Sequence, residues 1–447
     1  MGIATIDDTR VDALAQRRIG PTDKGWPPAL WGRTVAEVRE LRPTISAFPT
    51  PLVTLSRTAL DSNLTAMSAW AAGHGLSLAP HGKTTMAPQL WREQLDAGAW
   101  GITVATFGQL AVARSFGVTR VVVANALLDP SGLRWLAADL AARPDVRVLV
   151  WADSPAVVEI MATALADGDV DARPHPVDVL VELGGTGGRM GVRTVAGGLE
   201  VARAVAAAPG LRLAGVAGYE GALAHAARAD NLGTLRGYLA DLALLHEIIA
   251  DAGLYAGLPT GTEPLVSAGG SAYPDLVAEV LAPLGHDGTT TVLLRSGAYL
   301  THDDGYYREV SPLGRRPRTD GGRLRAALHG WASVTSAPEP GLVIVDAGKR
   351  DLPHDLGLPE VQLRRGRTPG APATRVEGAE VTALNDQHAF VRSDLASTVL
   401  TDLVVGDRLR LGISHPCTTF DKWRLIPVVD DADAADPVVV DAVRTFF

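Results

Sequence analysis

Lys83 stands in the stretch Leu76-Ser77-Leu78-Ala79-Pro80-His81-Gly82-Lys83-Thr84-Thr85-Met86, where a short apolar run gives way to a turn. The run is too short for a helix; Gly82 relaxes the turn, and Thr84 or Thr85 is placed to cap a helix starting near Met86. A lysine at such a junction, kept out of bulk water, loses its proton and becomes a Schiff-base nucleophile. A second stretch, Ser267-Ala268-Gly269-Gly270-Ser271, follows another apolar run and precedes a helical pattern that Ser271 can cap. Glycine lets an anion approach the main chain, and a helix start offers free N–H donors, so this stretch suits a phosphate. A third, His415-Pro416-Cys417, pairs imidazole with thiol two residues apart. On an extended strand both point to one side, where they can hold Zn²⁺ and leave positions open for substrate or water.

Whether these stretches meet depends on the elements between them. From Leu52 to about residue 310, short β-rich runs alternate with alanine- and leucine-rich helical patterns, as in a chain of βα units. The expected strands are 76–80, 101–105, 121–124, 147–151, 177–183, 211–218, 264–268 and 292–296. Helices are expected at 58–74, 85–98, 107–116, 130–143, 154–166, 195–208, 230–252 and 272–283, with caps such as Ser154 and Asp230. Eight strands in about 250 residues have the size of a (β/α)8 barrel, although an open doubly wound sheet shares the same element order. After residue 310 the pattern changes to short β runs near 324–334, 341–346, 376–383, 388–391, 408–413 and 424–429. A helical period returns only in the last residues. The expected class is therefore α/β, a (β/α)8 barrel over 50–310 with a second, mainly antiparallel β domain over 311–447, joined by a lead-in of residues 1–49.

In a barrel, a lysine after strand one and a phosphate cradle after strand seven open onto the same face. Pyridoxal 5'-phosphate, with an aldehyde at one end and a phosphate at the other, fits that pair; so does the substrate of a phosphosugar aldolase. Arg189 ends the fifth strand region and can orient a cofactor ring, and Tyr219 offers an aromatic group after strand six. The glycine run from Gly184 to Gly191 is not a dinucleotide fingerprint, since the sixth position counted from Gly185 is Met190. His246-Glu247 lacks the second histidine of a zinc protease motif.

The formal charge of -9, without a run of basic residues, argues against nucleic-acid and anionic-membrane partners and leaves small molecules. One cysteine excludes an internal disulfide framework, and with no basic and apolar leader at the start a cytoplasmic location is expected.

These motifs together resemble one family, the metal-activated D-serine dehydratases and D-threonine aldolases, whose barrel is of the alanine racemase type. The resemblance runs from about residue 45 to 430. It is carried by Pro80-His81-Gly82-Lys83-Thr84, Gly184 to Gly191, Tyr219-Glu220-Gly221, Ser267 to Ser271, Arg295-Ser296-Gly297-Ala298-Tyr299, Asp346-Ala347-Gly348-Lys349 and His415-Pro416-Cys417. It implies a lyase acting on a D-3-hydroxy amino acid, with Lys83 as the lysine that carries pyridoxal phosphate and as the catalytic base. His81, Arg189 and Tyr219 would surround the cofactor, and Gly269, Gly270, Ser271 and Tyr299 would hold its phosphate. His415 and Cys417 would bind Zn²⁺ beside the β-hydroxyl. Cysteine in the second metal position resembles the dehydratase branch, where the aldolases tend to have aspartate, so elimination of water to a 2-oxo acid and ammonia is expected ahead of aldol cleavage. A non-catalytic pyridoxal phosphate carrier would share the lysine and the cradle but has no need of the metal pair. The resemblance also implies a homodimer.

Overall fold

The computed structural model describes residues 3–166, 175–224, 228–367, 373–393, 400 and 403–447. Among them, eight strands form one parallel sheet: β2 (Ser77–Leu78), β3 (Ile102–Val104), β4 (Arg120–Val123), β5 (Arg147–Ala152), β6 (Val177–Leu183), β7 (Leu211–Gly218), β8 (Leu265–Ala268) and β9 (Thr291–Leu294). Each pairs with its sequence neighbour from β3 to β9, and β9 returns to β2. The ring is completed by hydrogen bonds from Trp100 N to Leu78 O at 2.6 Å and from Thr103 N to Pro80 O at 2.8 Å. The sheet is thus curled into a barrel and is not the open alternative.

Every residue of β5 and β6 is buried, because helices cover the outside while side chains fill the lumen. Ala79, Val122, Leu149, Leu180, Ala214, Leu265 and Leu293 form that inner core. Near the start of the strands, Asp178 accepts hydrogen bonds from Arg147 at 2.7 Å and Arg212 at 2.6 Å, tying β5, β6 and β7 together. The helices lie within three residues of the expected ranges, but several caps differ. The helix after Lys83 starts at Pro88 behind Ala87, and neither Thr84 nor Thr85 caps it. Ser271 does not cap the helix Pro274–Leu281 either; its hydroxyl accepts from Ala298 N at 3.0 Å. Asp230 sits within the first turn of Ala229–Asp251, whose cap position is Arg228.

The second layer is a mainly antiparallel sheet in the order β13 (Thr374–Arg375), β12 (Glu360–Arg365), β16 (Arg408–Gly412), β10 (Leu328–Glu339), β1 (Leu52–Ser56), β17 (Leu425–Val429) and β18 (Val439–Arg444). A branch of β11 (Leu342–Val345), β15 (Ala389–Ser393) and β14 (Ala379–Leu384) leaves from β10. Sequence reasoning did not foresee β1, β12, β13 or β18. β1 lies antiparallel to β10 and parallel to β17, so a strand from the beginning of the chain sits inside a sheet built from its end. β18 contradicts the helical reading of the last residues; its run Val438-Val439-Val440 is β-branched, and tertiary pairing decides. The lead-in packs on this sheet through Ile19, Trp26, Val38 and Phe48 against Trp331 and Leu425. No helix of the described residues is long and apolar enough to cross a membrane.

Candidate active site

The turn after β2 is a 3-10 helix, Gly82–Thr84, with Lys83 in its middle. Gly82 serves packing here more than conformational freedom: a Cβ on it would lie 2.5 Å from Ile102 and 2.7 Å from the Trp91 indole nitrogen. That indole donates to Gly82 O at 3.1 Å and fixes the turn, and with it the point from which Lys83 projects. Burial lowers the pKa of the Lys83 amine; the nearby charges of Arg189 and Arg295 lower it further, while Cys417 opposes them. A lysine so placed gives up its proton more readily than one at the surface.

Lys83 opens onto a cavity of about 580 Å³, shared with His81, Trp151, Glu182, Arg189, Tyr219, Gly270, Ser271, Arg295, Tyr307, Asp355, His415 and Cys417. Eight of the residues singled out from the sequence therefore meet on one wall. Tyr299 does not; it is buried outside the wall, its hydroxyl accepting from Gln94 at 3.2 Å. Gly269 also stands back, forming the bend with φ +91°.

The end of β7 and the turn after β8 are locked together. Glu220, fully buried, accepts the N–H groups of both Gly269 and Gly270. A Cβ on Gly270 would lie 2.9 Å from the Tyr219 ring, so glycine is what lets that ring close over the turn. Burial, and then the Glu220 charge, push the Tyr219 phenol up to about 12. Arg189 places its guanidinium 5.2 Å from the same ring. Its loop is clipped to β6 by hydrogen bonds from Val192 N to Glu182 O and from Gly184 N to Val192 O.

Arg295 is a functional residue that the sequence reading quoted without a role. It donates to Ser267 Oγ and to Gly218 O, each at 2.5 Å, and lies 4.8 Å over the Trp151 ring, joining β7, β8 and β9 beneath the cavity. Glu182 was missed as well. Burial, then Asp153, raise its carboxyl to about 7. An acidic residue ending an apolar strand was the available signal.

From the second layer, His415 and Cys417 reach the cavity by a route other than the one expected. Pro416 has helical dihedrals and Cys417 begins a helical turn, Cys417–Phe420, so the pair does not lie on an extended strand. Cys417 Sγ lies 3.4 Å from Thr84 Oγ1, next to Lys83. The second nitrogen of the pair's imidazole is engaged: His415 Nδ1 lies 2.7 Å from Asp355 Oδ2, and Thr418 donates to Oδ1 of the same carboxylate at 2.7 Å. Burial works against charge on His415, but Cys417 and Asp355 outweigh it and raise the imidazole to about 9. No three histidine, cysteine or acidic side chains cluster as metal ligands among the described residues. Two donors with a carboxylate behind the histidine fit an open catalytic site, with Asp355 as the orienting partner, and not a closed structural one.

Comparison with known proteins gives the same picture. Residues 327–429 match the family described as Putative serine dehydratase domain. A D-threonine aldolase of Arthrobacter sp is 27% identical over 411 residues, 92% of this chain and 94% of that protein. The chain is thus similar over most of its length to a D-threonine aldolase, and in its β layer to the serine dehydratase domain. Its fold matches the crystal structure of D-threonine aldolase from Filomicrobium marinum with a TM-score of 0.72 at 24% identity, covering 90% of this chain and 97% of that one. A D-threo-3-hydroxyaspartate dehydratase in a metal-free form, with a cysteine replaced by alanine, matches with a TM-score of 0.69 at 21% identity over 91% and 99%. Another structure of that dehydratase has alanine in place of the histidine two positions earlier. The fold also matches alanine racemase from Bacillus anthracis, with a TM-score of 0.54 at 15% identity over 88% of this chain and 97% of that one.

Proposed function

We propose that this cavity is the active site of a lyase that uses pyridoxal phosphate and Zn²⁺ to eliminate water from a D-3-hydroxy amino acid, giving a 2-oxo acid and ammonia. The observation that carries this reading is the meeting of Lys83, from the barrel, with His415 and Cys417, from the β layer, in one cavity.

The chain's own groups fit both partners. A lysine with a lowered pKa suits an aldehyde, and His81, whose buried Nδ1 has no hydrogen-bond partner, lines the same cavity. Ser271 would hold the phosphate from the bend that Gly269 and Gly270 shape, their own amides being taken by Glu220, and Tyr299 is buried outside the cavity. Arg189 and Tyr219 flank the ring position. Imidazole and thiolate are borderline-soft donors that suit Zn²⁺. When bound, the cofactor supplies an electron sink for charge at Cα and the metal a Lewis acid for the leaving hydroxyl. Lys83, as a free amine, would take the Cα proton. His415 and Cys417 would hold the metal that acts on the β-hydroxyl, and Asp355 holds the His415 ring in place.

The same spacing of histidine and cysteine in the 3-hydroxyaspartate dehydratase supports elimination. A second reading, cleavage to glycine and an aldehyde, is favoured by the full-length similarity to a D-threonine aldolase. In that case a base removes the hydroxyl proton and the Cα–Cβ bond breaks. A homodimer belongs to the proposal. Product analysis with D-threonine on the chelated protein, with cofactor and with or without added Zn²⁺, decides it. Metal-dependent 2-oxobutyrate and ammonia are expected; glycine and acetaldehyde would mean the aldolase reaction.

A further inference from the structure

The geometry points to a substrate whose β-substituent is neutral and apolar, such as a methyl or aryl group, in preference to a carboxylate. This rests on the lyase reading above, which places Cβ beside His415 and Cys417.

The cavity has two unlike sides. Its lysine and arginine side chains, Lys83, Arg189 and Arg295, all come from the barrel. Arg295 is held by Ser267 and the Gly218 carbonyl, and Arg189 lies over the Tyr219 ring, so both charges are anchored on barrel residues, where the lyase reading would place the cofactor and the α-carboxylate. The other side is built by Tyr306, Tyr307, Asp355, Leu356, His415 and Cys417, and among the described residues it offers no lysine or arginine. Asp355 brings a negative charge there, fixed by His415 and Thr418. A dication held by His415 and Cys417 is already offset by the thiolate and by Asp355, so it leaves little attraction for a second anion.

What remains on that side is hydrocarbon. Leu356 follows Asp355 on the wall and is 41% exposed. The Tyr307 ring centre lies 6.4 Å from that of His415. An apolar substituent covers these groups, whereas a carboxylate meets Asp355 and loses water without a partner.

The test compares kcat/KM of the holoenzyme, loaded with pyridoxal phosphate and Zn²⁺, for D-threonine, D-3-phenylserine and D-3-hydroxyaspartate. The neutral substrates should lead by at least about tenfold. Equal or better use of D-3-hydroxyaspartate would overturn the inference. In Leu356→Arg a guanidinium enters the wall at a solvent-exposed position, and the ratio should move toward D-3-hydroxyaspartate by about tenfold or more; an unmoved ratio counts against the wall as the determinant. Thermal shift of the holoenzyme with unreactive D-2-aminobutyrate and D-aspartate reads the same preference without turnover. If no hydroxy amino acid is consumed, the lyase reading fails, while the order of those two ligands still decides the inference.

Discussion

The carboxylate of Glu220 accepts a hydrogen bond from the backbone N–H of Gly269 at 3.0 Å, and its other oxygen accepts from Gly270 at 3.3 Å. Two amides that the sequence suggested for a phosphate are thus turned toward a buried side chain, which shapes the bend presenting Ser271 to the cavity. Burial raises the Glu220 carboxyl, and the two amides with Arg295 draw it back down. Glu220→Gln keeps one acceptor but sets an NH₂ group against an N–H. The dissociation constant for pyridoxal phosphate, followed by tryptophan fluorescence, should rise about tenfold or more. In Glu220→Ala each orphaned amide costs about 1–3 kcal/mol, visible in urea unfolding. Unchanged cofactor affinity in both variants would remove Glu220 from the support of the turn.

Glu182 makes a prediction in pH. Its carboxyl is raised to about 7 in the folded chain, from an ordinary value of 4.5. Between those values the unfolded chain has released the proton and the folded chain still binds it, so this group's contribution to stability falls as pH rises from about 4.5 to about 7 and then levels. Glu182→Gln removes that loss. The gain in unfolding free energy of the cofactor-free variant over the parent should grow by about 1–3 kcal/mol from pH 5 to pH 8. A difference that stays flat with pH would contradict the raised value.

Asp178 tests the separation of stability from chemistry. It holds Arg147 and Arg212 at the strand starts, four positions before Glu182 reaches the cavity. Asp178→Ala strands two guanidinium groups that are largely buried, at a cost of about 3–5 kcal/mol. Cofactor affinity at a temperature where the variant is folded should stay within about twofold, because none of the three residues lines the cavity. A loss of cofactor binding in a variant still folded would link the two ends of the barrel.

The barrel was legible because its strands are buried on both faces and read as unbroken apolar runs; Val177–Leu183 and Leu211–Gly218 fall on the expected residues. Lys83 and the Gly269–Ser271 turn were legible from their place in the strand count. The second layer was harder. β1 takes its place only by pairing with strands some 280 and 370 residues further on, which no local period encodes. Asp355 lies in a loop without a pattern and gains its meaning from His415, and the reach of Cys417 depends on a helical turn where an extended strand was expected.

Asp355 also supplies the sharpest test of the metal proposal. Its carboxylate touches His415 Nδ1 at 2.7 Å and is itself held by Thr418, an arrangement that fixes the ring and frees Nε2 for a metal. Asp355→Asn retains the shape of the side chain and loses the charge. Zn²⁺ affinity, measured by competition with a chelating dye, should fall about 10–100-fold, with cofactor affinity unchanged and activity recovered at higher Zn²⁺. Cys417→Ala removes a donor outright, so excess metal should restore far less. If Asp355→Asn bound Zn²⁺ as tightly as the parent, the carboxylate would be a structural partner of His415 alone. If neither substitution altered metal binding, the His415–Cys417 pair would not be the metal site.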